Sequence, residues 1–315
     1  MNILITGGAG FIGSNAAEYF HDKGHEVYIL DNLSTGKIEN IPFVSPEHFF
    51  NMDIRDYNNI EILTKKYQFD VIIHLAAVVS VVDTVTDPIT SNEVNIEATL
   101  KLLEITREHN NNIKKIVFAS SAAIYGNDPS LPKNINSIIQ PESPYAIQKY
   151  AGEQYLKIYR KLYGLPTVAL RFFNVYGPKQ DPKSQYSGVL SIMKDRFDTD
   201  GKFTFNGDGL QSRDFVYVKD IVKAMSIVIN SDEATGNIYN VGSGKANTLL
   251  KMFETFKNNY NKEIEFEFAD ERLGDVKHSL ADITDLQELG YSPDYDVVKG
   301  MNEYLSLESK HMQEA

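Results

Sequence analysis

Tyr145 and Lys149 stand four residues apart behind Ser143-Pro144, a cap residue and a first-position proline that together open a helix. On a helix this spacing puts both side chains on one face. An ammonium beside a phenol favours the phenolate, so the expected effect is a phenol pKa lowered towards neutrality and a tyrosine able to act as general base. The spacing alone does not select Tyr145, because Tyr19/Lys23 and Tyr295/Lys299 repeat it. What selects it is Ser120-Ser121, at the carboxyl end of the preceding apolar run. A hydroxyl there can bond the substrate oxygen that the phenol would deprotonate, with Ser121 as the catalytic candidate.

A second group of residues suits phosphates. Gly7, Gly10 and Gly13 are spaced G-x-x-G-x-x-G after one apolar run and at the start of a helical stretch. Such glycines allow a sharp turn, a close backbone approach to a pyrophosphate and tight helix packing. The N–H groups of Phe11 and Ile12, at the helix start, then face the anion. Asp31 ends the next apolar run, where an acid hydrogen-bonds the adenosine ribose and repels a 2′-phosphate, which favours NAD over NADP. It opens the turn-rich stretch Asn32-Leu33-Ser34-Thr35-Gly36, so a turn-forming role is the competing reading. Asp53-Ile54 could touch adenine or cap the following helix.

These groups need elements to hold them. Ile3–Thr6, Val27–Leu30, Val71–Leu75, Ile116–Ser120 and Thr167–Phe172 are short, apolar and flanked by turns, as strands buried on both faces are. Between them lie amphipathic stretches at Phe11–Lys23, Tyr57–Tyr67, Asn92–His109 and Tyr145–Tyr163. This alternation predicts an α/β fold with a doubly wound parallel sheet, of the Rossmann type, binding its ligands at the carboxyl ends of the strands. After Arg171 the alternation fades. The expected division is a dinucleotide-binding domain over 1–172, with a return of the chain around 213–244. A smaller substrate lobe takes 173–212 and 245–315.

Composition narrows the classes. The 315 residues carry 31 Lys plus Arg against 43 Asp plus Glu, a net charge of −12, which argues against a general nucleic-acid binder. With no cysteine, disulfides, thiol nucleophiles and thiolate metal sites are excluded, and no metal is expected. No signal peptide and no apolar run of membrane-spanning length is apparent, so a cytoplasmic protein without a membrane partner is expected.

Thr6–Gly13, Asp31, Ser120-Ser121, Tyr145 with Lys149, and Arg171-Phe172-Phe173-Asn174-Val175-Tyr176-Gly177-Pro178 together resemble the extended short-chain dehydrogenase/reductase family. The segments 206–209, 212–218 and 272–275 are similar to its NDP-sugar epimerases. The resemblance covers essentially the whole chain. It implies one bound NAD, a Ser121/Tyr145/Lys149 catalytic set and a UDP-sugar between lobes. It further implies cofactor contacts at Leu75, Ala76, Ala77 and Asn95, and substrate contacts at Asn174, Val189 and the strand Phe203-Thr204-Phe205. Arg213 and Arg272 resemble phosphate-binding arginines, a role that planar guanidinium forks suit, and Asp275 resembles an acid near the nucleotide ribose. A homodimer through helices 92–109 and 145–163 is likewise implied.

Nucleotide-sugar dehydratases share the scaffold but carry Asp-Glu after the catalytic hydroxyl, where this chain has Ala122-Ala123. Val78-Val79 stands where some glucose/galactose epimerases have a lysine. Ser279 falls where the resemblance places a size gate beside the sugar's 2-substituent, and a serine there leaves room for an acetamide. The leading expectation is 4-epimerisation of UDP-N-acetylglucosamine and its galacto isomer, with the unacetylated pair as well. A UDP-glucuronate 4-epimerase or decarboxylase, and a nucleotide-sensing Rossmann protein without turnover, remain as alternatives.

Overall fold

The apolar runs have no polar face to turn towards water, and each becomes an interior strand of one sheet. In the computed structural model, which describes residues 1–181, 188–270 and 277–314, seven strands pair in parallel. They are β1 (Asn2–Thr6), β2 (Glu26–Asp31), β3 (Phe49–Asn51), β4 (Val71–His74), β5 (Lys115–Ser121), β6 (Thr167–Phe172) and a late arrival, Ile238–Val241. Three further strands, β7 (Asn174–Tyr176), β8 (Phe203–Asn206) and β9 (Ser212–Tyr217), precede that arrival, which is therefore β10. Across the sheet the order is β3-β2-β1-β4-β5-β6-β10, so the winding reverses between β1 and β4. The doubly wound parallel sheet expected from the alternation is what the chain forms.

Outside this sheet, β9 pairs in parallel with β7 and antiparallel with β11 (Ala246–Thr248), and β8 pairs in parallel with β12 (Phe266–Ala269). Helices α1 (Phe11–Asp22) and α2 (Tyr57–Tyr67) follow β1 and β3, and α3 (Val81–Thr86) follows β4. The helix expected from Asn92 begins earlier. It starts as α4 (Pro88–Asn92), capped by Asp87, passes through a π turn at Glu93–Glu97 and continues as α5 (Ala98–His109). The early start follows from an Asp-Pro pair that caps and pre-sets the first turn. Then come α6 (Pro144–Tyr163), α7 (Val189–Asp198), α8 (Val218–Asn230), α9 (Leu249–Tyr260), α10 (Thr284–Glu288) and α11 (Val297–Glu314). One apolar cluster joins α1 and α8 to one face of the sheet, and a second joins α2, α5 and α6 to the other. A third, rich in Phe and Tyr, lies among α7, α9, α11, β8 and β9.

Helix α6 sits tightly on β5 because Gly152 leaves room for Phe118; a methyl at Gly152 would lie 2.5 Å from the ring's Cζ. The next residue, Glu153, is wholly buried and takes both forks of Arg171 from β6, each at 2.8 Å. Ser120 donates to the same carboxylate at 2.6 Å. Arg171 also donates to the Tyr125 hydroxyl at 2.8 Å, which donates to Asn240 of β10 at 2.7 Å. Removing one partner of such a pair strands the other charge out of water. Glu153→Gln should therefore lower the unfolding free energy by about 3–5 kcal/mol, read from the shift of a chemical denaturation midpoint. A shift of under about 1 kcal/mol would show that the pair does not hold the two strands and the helix together.

Candidate active site

One cavity of about 860 Å³ runs along the carboxyl ends of the sheet strands. Its walls include Gly7 after β1, Asp31 ending β2, Leu75 after β4, Ser121 ending β5 and Phe172 ending β6. The glycine turn gives it a floor. Gly7 has a φ of +70°, and a Cβ at Gly13 would stand 2.2 Å from the Gly7 carbonyl oxygen, so neither position tolerates a side chain. Gly10 caps α1 without any side-chain oxygen. The first N–H groups of that helix are thereby left for an anion, as the fit of a pyrophosphate requires.

Asp31 is buried beside this turn and accepts N–H bonds from Ala9 at 2.9 Å and Leu33 at 2.8 Å. Burial raises its pKa, against the pull of those backbone donors. It therefore shapes the glycine turn and the 31–36 turn while also lining the cavity, so the two readings of Asp31 coexist. Residues 32–36 line the same end. Asp53 lines it too, held by Arg55 and Asn32, and the hydrogen bond from Arg55 brings its pKa down to about 2. The alternative role for Asp53 belongs to Asp56, which caps α2.

At the other end Ser143 accepts from the Ala146 N–H and Pro144 takes the first helical position, as the sequence signals require. Tyr145 and Lys149 both face the cavity with Ser121, which hydrogen-bonds the phenol. The expected electrostatics are reversed, however. Burial pushes the phenol up to about 12 despite the Ser121 bond, and burial brings the Lys149 ammonium down to about 8. The Lys149 Nζ lies 5.8 Å from the centre of the Tyr145 ring and 5.0 Å from that of Phe118. Loss of water outweighs an attraction that acts over the ring rather than at its oxygen. The two look-alike pairs lie away from this cavity, with Lys23 over Tyr19 and Lys299 over Tyr295 as cation–π contacts.

Phe11, Ile12, Ile54, Leu75, Ala76 and Ala77 also line the cavity. Asn95 does not: its side chain is spent on Val78 and Gln148 behind the wall. Asn174, Val189, Phe203, Thr204, Phe205, Arg213 and Ser279 lie outside the cavity wall. Asn174 donates to the Asp214 carbonyl at 3.2 Å, and Val189 packs at the start of α7. Phe203 and Phe205 point into the third core, leaving Thr204 on the open face with Glu267. Arg213 donates to the Ser212 and Lys277 carbonyls, each at 3.1 Å. Ser279 is joined to β9 by its N–H on the Ser212 carbonyl at 3.0 Å. Arg272 and Asp275 lie outside the described residues.

A strap that the sequence did not reveal crosses the dinucleotide end of the cavity. Lys179 reaches Glu18 at 2.8 Å and the Asn40 carbonyl at 3.1 Å, and Asp181 meets Lys37 at 2.8 Å. Its only forewarning in the sequence is Gly177-Pro178, a turn-forming pair just before it.

The chain is similar to known proteins in both sequence and fold. Residues 3–242 match the family model described as the NAD dependent epimerase/dehydratase family. A putative UDP-glucose 4-epimerase of Methanocaldococcus jannaschii is 40% identical over 95% of each chain. The UDP-N-acetylglucosamine 4-epimerase of Methanobrevibacter ruminantium, solved with UDP-N-acetylmuramic acid, is 39% identical and superposes with a TM-score of 0.91 over 99% of both chains. A UDP-glucose 4-epimerase of Thermus thermophilus, solved with NAD, is 37% identical with a TM-score of 0.88, covering 97% of this chain and 98% of that one. Glycine turn, strand-end hydroxyl and tyrosine–lysine helix thus stand in one groove on a fold shared along the whole chain, which belongs to the NAD dependent epimerase/dehydratase family.

Proposed function

We propose that the protein interconverts UDP-sugars at carbon 4, with UDP-N-acetylglucosamine and UDP-N-acetylgalactosamine as the main pair and UDP-glucose and UDP-galactose as the second. The observation that carries this reading is the joint placement of Ser121, Tyr145 and Lys149 in the cavity that the glycine turn floors. The glycine turn at 7–13 and Asp31 would hold NAD, which would supply reversible hydride transfer at sugar carbon 4 and a positive charge that favours a phenolate. Tyr145 takes the proton of the 4-hydroxyl and gives it back after the keto sugar has turned. Ser121 holds the same oxygen. Lys149, protonated below about pH 8, stabilises the phenolate that its own burial cannot produce. Ala122 and Ala123, after the hydroxyl, carry no proton for eliminating water, which speaks against dehydration. The intact proton-transfer set speaks against a sensor without turnover.

We assign 1–172, with its return at 213–244, to the dinucleotide and 173–212 with 245–315 to the UDP-sugar; the third apolar cluster gathers most of the second unit, while Ala281, Ile283, Leu286 and Tyr291 pack into the first cluster. Where Ser212 of β9 bridges to His278, Arg213 at the start of the returning segment and Ser279 of the second unit flank the same joint, which keeps both as candidates for substrate contact. The dimer assigned to helices 92–109 and 145–163 finds support on α6. Ile147, Ile158 and Leu162 are exposed there at helical spacing, 55%, 40% and 60% accessible.

NMR of a panel of UDP-sugars incubated with the protein, without an added electron acceptor, tests the reaction. Tyr145→Phe should cut turnover by about 10²–10⁴-fold and leave the bound dinucleotide in place. Near-normal turnover in that variant would remove Tyr145 from the chemistry. Ser279→Tyr should slow UDP-N-acetylglucosamine by at least about tenfold, roughly 1.4 kcal/mol of transition-state stabilisation, and largely spare UDP-glucose. Equal losses in the folded variant would dismiss Ser279 as the gate. In sedimentation the wild-type protein should run as a dimer and Ile158→Glu/Leu162→Glu as a monomer. A monomeric wild type would refute the interface.

A further inference from the structure

His74 is a buried titratable group that the proposed chemistry leaves unused. It ends β4, with its Nδ1 2.7 Å from the Thr6 Oγ1 on β1 and its Nε2 3.0 Å from the Thr99 Oγ1 on α5. The directions of these bonds follow from their neighbours. Thr6 Oγ1 accepts the Ala76 N–H at 3.3 Å, and the acceptor for its own proton is His74 Nδ1. Thr99 gives its proton to the Asn95 carbonyl at 2.8 Å, so its oxygen is left to receive a proton from Nε2. Both sides select one neutral tautomer, with the proton on Nε2. Burial, and then the Lys149 charge, hold the imidazole pKa down to about 3, in keeping with a neutral ring.

The bond from Thr99 ends on the main-chain carbonyl of Asn95, whose side chain makes contacts of its own. Asn95 lies within the π turn, an irregularity that re-aims side chains. Its amide donates to the Val78 carbonyl at 2.9 Å and to Gln148 at 2.7 Å, while its oxygen accepts the Val78 N–H at 2.8 Å. Ala76 and Val78 belong to the cavity wall, and Ala76 adjoins the glycine turn. That wall is close enough to the turn that a Cβ on Gly7 would come within 2.8 Å of the Ala76 nitrogen. A small shift of this wall is therefore passed directly to the glycine turn.

We infer that His74 is a positioning residue for the dinucleotide. In its neutral form it closes a one-way relay of buried hydrogen bonds, from Ala76 through Thr6, His74 and Thr99 to the main-chain carbonyl of Asn95, whose side chain separately holds Val78, and this relay fixes the wall beside the glycine turn. An apolar ring in its place leaves the Thr6 proton without an acceptor and the Thr99 oxygen without a donor, both out of water. The inference rests on reading the cavity as a dinucleotide site, and it is independent of which sugar is turned over.

The test is NADH binding, followed by fluorescence titration well below the unfolding temperature, for wild type, His74→Phe, Thr99→Val, their double variant and Thr99→Ser. Thr99→Val keeps the shape and removes only the relay's hydroxyl, so it carries the test should His74→Phe not fold. Each folded relay-breaking variant should bind NADH at least about fivefold more weakly. The double variant should bind no more weakly than the weaker single one, because a broken relay cannot be broken twice. Thr99→Ser, which keeps the hydroxyl, should match wild type. Smaller losses, losses that multiply in the double variant, or failure of serine to restore binding would overturn the relay. A wild type that binds no NADH would overturn the cofactor reading and the relay together, whereas wild-type binding with unaltered variants overturns the relay alone.

Discussion

Two opposite charges withdrawn from water tolerate little displacement, and in this protein they decide where α6 lies. Glu153 on the helix is gripped by both forks of Arg171 on β6 and by the Ser120 hydroxyl on β5. Lys149 and Tyr145 stand one and two turns before Glu153 on the same helical face. Ser121 is the neighbour of Ser120. The ion pair consequently sets the distance and register between the candidate hydroxyl and the candidate phenol, without touching the cavity itself. The small-residue contact of Gly152 against Phe118 closes the remaining freedom between helix and sheet.

The chemical end of the groove is hostile to charge. The phenol of Tyr145 is driven up, the ammonium of Lys149 is driven down, and His74 is held neutral. Desolvation leads in each case, although the groups come from two different elements, α6 and β4. A site arranged in this way is not poised for proton transfer by its own residues alone. It becomes so when charge arrives with a ligand, since fixed groups in a dry pocket respond strongly to each added charge.

Legibility in the sequence followed the range of the interactions. The glycine turn, the Ser143-Pro144 helix start and the five inner strands depend on neighbours within a few residues, and the sequence displays them. The pairing of Glu153 with Arg171 joins residues 18 apart through packing, and nothing in either one's local sequence marks it. The π turn at Glu93–Glu97 is hidden for another reason: its residues suit an ordinary helix, and only the pull of Val78 and Gln148 on Asn95 distinguishes it. The direction of the Tyr145 shift was misjudged because spacing along a helix reports which groups are close, not how much water they retain. Phe203 and Phe205 illustrate the same limit, since alternation places them on one face without saying that the face is a core.

The last strand of the main sheet, β10, is contributed by residues 238–241, and α8 at 218–230 covers the face that α1 also packs against. The cluster beneath them draws in Ala281, Ile283 and Tyr291 from still later in the chain. On the ribosome, therefore, the amino-terminal half emerges with a sheet edge unpaired along β6 and an apolar face uncovered. Such surfaces are the ones that invite wrong partners while a chain is incomplete. The nascent protein has to wait for nearly all of its length before its main sheet can close, so a polypeptide released at residue 172 would carry every residue of the glycine turn and the tyrosine–lysine helix and still lack the means to hold them in place.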